Sequence, residues 1–120
     1  MKETKKESEN LDRVFHALAD PTRRALLELL VKHGQTITEL ASPFKMTLAA
    51  VSKHIRVLET AGLIVRQVDG RIHRCTADLT SLKSASTFID KYRRFWESQF
   101  DALDEYLKSQ SPNKKNKDSL

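Results

Sequence analysis

The stretch that decides the fold runs Lys45-Met-Thr-Leu-Ala-Ala-Val-Ser-Lys-His-Ile-Arg-Val-Leu-Glu-Thr-Ala61. Val51, Ile55 and Leu58 recur at the i, i+4, i+7 spacing that places apolar side chains on one face of a helix. The opposite face is small, polar and basic, and consists of Leu48, Ala49, Ser52, Lys53 and Arg56. We predict a helix over residues 47–61 whose outer face suits the major groove of DNA, although an ordinary amphipathic surface helix shares this pattern.

The ends of this helix and the segment before it complete a motif. Thr47 is a favourable N-cap, and Gly62 is a favourable residue to end the helix. Residues 38–44 predict a shorter helix, capped by Thr38, that meets the longer one at a tight turn. This is a helix-turn-helix, in which the second helix presents its N-terminal residues to base edges. The residues at that tip are Thr47, Leu48, Ala49 and Ala50.

A β-hairpin is predicted directly after the second helix. Residues 63–68 are rich in β-branched side chains, Asp69-Gly70 is a turn signal, and residues 71–76 alternate polar and apolar side chains. A helix-turn-helix followed by a hairpin is a winged helix, with residues 63–76 as the wing. We expect Arg71 and His73 of the wing to contact DNA together with the helix residues Thr47, Leu48, Ala49, Ala50, Ser52, Lys53 and Arg56.

The charge distribution supports double-stranded DNA as the partner. The chain has 21 Lys and Arg against 16 Asp and Glu, a net charge of +5. Between Pro43 and Thr76 the acidic residues are only Glu59 and Asp69, so this stretch carries +4 of that net charge. A localised basic surface is typical of nucleic-acid binding. The basic residues concerned are Lys45, Lys53, Arg56, Arg66, Arg71 and Arg74.

The remaining segments predict one mainly α-helical domain over residues 11–108, with about five helices and the small hairpin. Leu11, Val14, Phe15 and Leu18 share a face of a first helix, and Asp20-Pro21 opens a second helix that runs to His33. Residues 35–37 are long enough only for a brief strand. We expect residues 1–10 to be a disordered tail, and residues 109–120 to be a disordered basic tail.

The last predicted helix, residues 81–108, carries more apolar surface than a terminal helix of a small domain needs. Six of the eight aromatic residues of the chain fall in it. We predict that part of this surface faces a second subunit, so that the terminal helices form a homodimer. Closure of the monomer core and formation of a ligand pocket are the alternatives. The predicted interface residues are Leu11, Val14, Phe15, Phe88, Tyr92, Phe95, Trp96 and Leu103.

The sequence resembles the ArsR/SmtB-type winged-helix transcriptional repressors of prokaryotes, in the branch that lacks the metal-sensing cysteine motif. The resemblance rests on residues 15–24 (Phe-His-Ala-Leu-Ala-Asp-Pro-Thr-Arg-Arg), on residues 51–64 and on Gly70-Arg71. The segment 92–97 (Tyr-Arg-Arg-Phe-Trp-Glu) is similar to the last helix of members in the branch that lacks metal sites. The resemblance implies a homodimer that represses transcription by occupying a palindromic operator.

No metal or other cofactor is expected, and the effector that would release DNA stays unknown. Metal sensors of the family carry paired cysteines in the supporting helix or Asp, His and Glu ligands on the last helix. Here residues 39–42 contain no cysteine, and no histidine follows His73. A soft-metal site needs several convergent Cys or His ligands. His54 is expected to form a hydrogen bond behind the recognition helix, and Cys75 to be inert, with a metal-responsive or redox sensor as the alternative.

Other function classes find less support. Enzymatic activity is not expected, because Ser52 has no evident base, no glycine-rich phosphate loop is present and the carboxylates are dispersed. No apolar run is long enough to cross a membrane, and the start of the chain lacks a signal-peptide core, so we expect a cytoplasmic protein. A winged helix that binds another protein, with DNA contact incidental, is the alternative from a different class.

Overall fold

The computed structural model describes residues 5–110 and shows five helices with a small antiparallel sheet, which confirms the predicted winged helix. The chain divides into two compact units, residues 5–86 and residues 87–110 among those described, and each is treated by itself. The elements are α1 (Lys5–Leu18), α2 (Pro21–Lys32), β1 (Gln35–Thr36), α3 (Ile37–Phe44), α4 (Leu48–Thr60), β2 (Ile64–Asp69), β3 (Ile72–Ala77), a 3-10 turn (Leu79–Ser81) and α5 (Leu82–Gln110).

The sheet of the first unit has the strand order β1-β3-β2. Strands β2 and β3 pair over their whole length, from Ile64 opposite Ala77 to Asp69 opposite Ile72. Gly70 and Arg71 therefore form a two-residue hairpin loop, and Gly70 has a φ of +63°, which suits glycine at the first loop position. The brief strand predicted over residues 35–37 is present at Gln35–Thr36, where it pairs with Cys75 and Arg74.

The core of the first unit fixes the orientation of α4. Val51, Ile55 and Leu58 are fully buried, as the spacing predicted. They belong to one cluster with leucines of the neighbouring helices and with residues at the two ends of the wing, namely Leu26, Leu27, Leu30, Leu40, Leu63, Ile64 and Cys75. Because this face is fixed in the core, the opposite face of α4 lies at the surface.

The caps confirm several predicted helix ends. The carboxylate of Asp20 accepts hydrogen bonds from the backbone N–H groups of Thr22 (2.7 Å) and Arg23 (3.2 Å) at the start of α2. At the end of α4, Gly62 donates to the carbonyl of Glu59 and Leu63 donates to that of Leu58. This is the Schellman arrangement, and Gly62 has the left-handed φ of +76° that it requires.

The predicted start of the supporting helix was wrong by two residues. Thr36, and not Thr38, is the N-cap of α3, so Thr38 lies inside the helix. Thr36 Oγ1 accepts from the N–H of Glu39 (3.1 Å), and Glu39 Oε1 accepts from the N–H of Thr36 (2.8 Å). Thr36 and Glu39 thus satisfy two backbone donors reciprocally, as a capping box does. A cap at Thr38 would place Ala41 three residues later, where no side chain can accept.

The first helix is longer than predicted. It begins at Lys5, so residues 5–10 of the expected tail are helical, and their run of Lys, Glu, Ser and Asn extends the exposed start of α1. The start of the predicted C-terminal tail is also helical, since Ser109 and Gln110 end α5. Residues 1–4 and 111–120 of the two predicted tails lie outside the described residues. Within residues 5–110, no helix is both long and apolar enough to cross a membrane.

Candidate nucleic-acid interface

The outer face of α4 is at the surface over its whole length. Leu48 is 51% exposed, and Ala49, Lys53 and Arg56 are exposed, whereas Ala50 and Ser52 are partly covered. Thr47 Oγ1 accepts the N–H of Ala50 at 3.1 Å. This hydrogen bond sets the start of the helix. The N-terminal tip is narrow because the side chains that follow Thr47 are mostly small. The predicted contact residues of α4 are thus exposed or partly exposed.

A concave surface lies between α4 and the hairpin, and we call it the wing groove. Its volume is about 470 Å³. It brings four predicted contact residues together, Leu48 and Ser52 of α4 with Arg71 and His73 of the wing. Several of its residues were absent from the predicted set, because only the folded hairpin brings them beside α4; these are Thr36, Ile37, Thr38, Arg66, Ile72 and Arg74.

Arg66 connects the wing to α4 rather than lying free at the surface. Its side chain is only 15% exposed, and its Nη2 donates to Glu59 Oε1 at 2.9 Å. Its Nη1 lies 3.2 Å from His73 Nδ1. A guanidinium can only donate, so Nδ1 of His73 accepts and the ring proton of a neutral His73 sits on Nε2.

A second concave surface lies on the other side of α4, and we call it the α1 groove. Its volume is about 420 Å³. Arg13 and His16 of α1 form one wall, and the other wall is α4, with Lys53, Arg56, Val57 and Thr60. The two predicted cations of α4 therefore lie on the α1 side of the helix. Sequence reasoning assigned no binding role to Arg13 or His16, because α1 was interpreted only as a dimerisation helix.

Arg23 connects the end of α1 to α4. Its guanidinium donates to the carbonyl oxygens of Ala17 (2.8 Å) and His16 (2.9 Å), and its Nη1 lies 3.4 Å from His54 Nδ1. This contact is the hydrogen bond predicted for His54 behind the recognition helix. Arg23 also lies 3.8 Å from a carboxylate oxygen of Asp20. Both walls of the α1 groove are consequently attached to the same side chain.

Comparison with known proteins decides the family. A family model described as a helix-turn-helix domain matches residues 18–67. The HTH-type transcriptional regulator Rv2034 of Mycobacterium tuberculosis is 39% identical over 85 residues, which cover 71% of this chain and 77% of the relative. A crystal structure of an ArsR family transcriptional regulator is 37% identical with a TM-score of 0.73, and the match covers 82% of this chain and 98% of that one. The chain belongs to the ArsR family of transcriptional regulators.

This assignment agrees with the resemblance found in the sequence, and the family is one of regulators and not of enzymes. A further relative of this ArsR-family regulator is the transcriptional repressor SdpR of Bacillus subtilis. It is 29% identical over 79 residues, which cover 66% of this chain and 88% of the relative.

The potential metal ligands in the described part of the regulator do not converge. Among residues 5–110, no group of three or more His, Cys, Asp or Glu side chains is placed to hold a metal ion. His54 and His73 each contact an arginine instead. Cys75 is fully buried in the core, where burial raises the pKa of its thiol and disfavours the thiolate that metals and oxidants require.

The predicted dimer residues fall into two groups. In α1, Leu11 and Val14 are buried within a single chain, whereas Phe15 is exposed. In the second unit, the residues predicted to meet a partner are exposed, except for the half-buried Phe88, whose ring centroid lies 5.4 Å from that of Tyr92. The exposed ones are Tyr92, Phe95, Trp96 and Leu103.

Proposed function

We propose that this ArsR-family regulator is a homodimeric repressor that binds a palindromic operator in double-stranded DNA, with residues 47–61 in the major groove and the hairpin 63–76 as the wing. The single observation that carries the proposal is the outer face of α4, which is exposed, small at its tip and bordered by a basic groove on each side. A helix with its side chains is about 10–12 Å wide and the major groove is about 12 Å wide. The tip of α4 is therefore of a size to reach base edges while its flanks meet phosphates.

The contacts divide by their chemistry. Leu48 and Ala49 at the tip are apolar and suit thymine methyl groups, whereas Arg56 has the planar donor pair that recognises a guanine edge. Arg71, Arg74 and His73 on the wing side suit phosphate oxygens, which fix the position of the protein without reading sequence. The metal-responsive sensor is the less favoured mechanism, because the described donors do not converge.

Dimerisation supplies the second recognition helix. One chain offers a single α4, and affinity for a palindromic site requires two helices related by a two-fold axis. The exposed aromatic side chains of α5 are the surface that we propose for the contact between chains. The name of the relative SdpR, a transcriptional repressor, supports repression as the outcome. A regulator of this kind acts where the DNA is, and we accordingly propose a cytoplasmic location.

Salt dependence tests the proposal against a protein-interaction module. We expect binding to duplex DNA whose log K falls linearly with log salt, with a slope of about −0.9 for every phosphate neutralised. Fluorescence anisotropy of a labelled duplex over a series of salt concentrations gives this slope. Absence of duplex binding at low salt would contradict the proposal and would favour the protein-interaction module.

Metal ions are expected to leave operator affinity unchanged. Zinc, cadmium, copper and arsenite need several convergent N or S ligands, and the described residues bring no such set together. Each metal is titrated into a preformed complex of the protein with DNA, and the titration is repeated with Cys75→Ser. Stoichiometric release that disappears in Cys75→Ser would show that a sensor site exists at this cysteine.

A further inference from the structure

We infer that α1 is part of the DNA-binding surface, with Arg13 and His16 contacting the phosphate backbone on the side of α4 that faces away from the wing. This inference rests on the proposed function, because it requires α4 to lie in the major groove. It extends that function to a helix whose expected role was dimerisation alone.

The first argument comes from the positions of the two grooves. Leu48 and Ser52 line the wing groove, whereas Lys53, Arg56 and Thr60 line the α1 groove, so the grooves flank α4 on its two sides. A helix in the major groove lies between the two sugar-phosphate backbones that form the walls of that groove. If the wing groove meets one backbone, the α1 groove is placed to meet the other.

The second argument comes from charge. Arg13, Lys53 and Arg56 border the α1 groove, and no carboxylate lines it. Within residues 5–110 none of these three cations has an ion-pair partner. Arg23 and Arg66, by contrast, are each paired with a carboxylate. Like charges gathered without counter-charge repel one another, and a bound anion offsets that repulsion. The unpaired cations therefore favour an anionic occupant of the groove.

The third argument concerns the kind of contact. Arg13 and His16 lie on α1, beside α4 and not on the tip that would enter the major groove. Arg13 is exposed, and its long side chain ends in a guanidinium group. A guanidinium can donate two parallel hydrogen bonds to the oxygens of one phosphate. His16 is exposed one turn further along the same helix and provides an N–H donor. These contacts would be independent of sequence and would position the protein on DNA.

The test compares the DNA affinity of Arg13→Ala, Arg13→Lys and the matched control Lys32→Ala. Each protein is measured on two duplexes of three helical turns, one with the proposed operator sequence and one with a scrambled sequence. Lys32 is an exposed cation that lines neither groove. Its replacement by alanine removes one positive charge, as Arg13→Ala does. Because a homodimer loses one Arg13 from each protomer, we expect Arg13→Ala to reduce the salt slope by about two and to weaken binding to both duplexes roughly sixtyfold in about 0.1 M salt. Arg13→Lys is expected to retain most of the affinity and the slope, as is Lys32→Ala.

Sedimentation and thermal melting of each variant accompany the binding measurements. An unchanged slope in Arg13→Ala, while Lys53→Ala/Arg56→Ala loses binding, would overturn the inference and leave the proposed function intact. Loss of affinity that accompanies dissociation of the dimer or loss of folding, or that affects only one duplex sequence, would also overturn it. Failure of the wild-type chain to bind any duplex would instead overturn the proposed function.

Discussion

The double substitution Lys53→Ala/Arg56→Ala is expected to weaken operator binding by a factor of roughly thirty or more. Both side chains lie on the exposed face of α4, where neither contributes to the core. If each makes one direct contact worth about 1–3 kcal/mol, the combined loss is about 2 kcal/mol at the least for each half-site. Anisotropy titrations of the wild-type and double-variant proteins measure the loss. Unchanged affinity with an intact fold by circular dichroism would remove this helix from the interface.

The single substitution Arg56→Ala separates two kinds of contact. If Arg56 reads a guanine edge, the loss is about 1–3 kcal/mol and is confined to one position of the operator. If Arg56 contacts phosphate, affinity falls evenly across sequences and the salt slope decreases. Operator variants changed at one base pair at a time distinguish these two results.

Trp96→Ala is expected to dissociate the dimer or to weaken it strongly. Trp96 is 53% exposed in the single chain and lies among other exposed aromatic residues of α5. Truncating a buried interface tryptophan costs about 2 kcal/mol or more, which raises the dimer dissociation constant at least roughly thirtyfold. Loss of the dimer should reduce operator affinity as well, because a monomer carries only one recognition helix.

The control for this experiment is Arg94→Ala. At 100° per residue, Arg94 points away from the face of α5 that carries Trp96, so its removal should leave the dimer intact. Sedimentation over a range of protein concentrations measures the association of both variants and of the wild type. A wild-type chain that is monomeric at tens of micromolar would contradict the proposed dimer.

The winged helix could be predicted because its signals are local. The spacing of Val51, Ile55 and Leu58 fixes the buried face of α4, and Thr47 and Gly62 fix its ends. The wing follows from β-branched residues on either side of a turn. In each case the residues that decide the structure lie within one element, so periodicity and capping chemistry are sufficient.

Features that depend on contacts between elements were not predictable in the same way. The spacing of Leu11 and Val14 predicts an apolar helix face. It does not predict whether that face packs against the core of the same chain or against a partner chain. Arg66 was counted with the surface cations, yet it pairs with Glu59 across the junction of α4 and the wing. The α1 groove exists only because α1 packs beside α4 in the folded chain.

The most direct measurement is a hydroxyl-radical footprint of the wild-type protein on the DNA upstream of its own coding sequence. The account predicts two protected half-sites related by a palindrome, with centres one helical turn, or a multiple of it, apart. With the Lys53→Ala/Arg56→Ala protein, the protection of both half-sites should be lost. A single protected site, or a footprint that persists unchanged in this double variant, would contradict the claim that two copies of α4 read the operator.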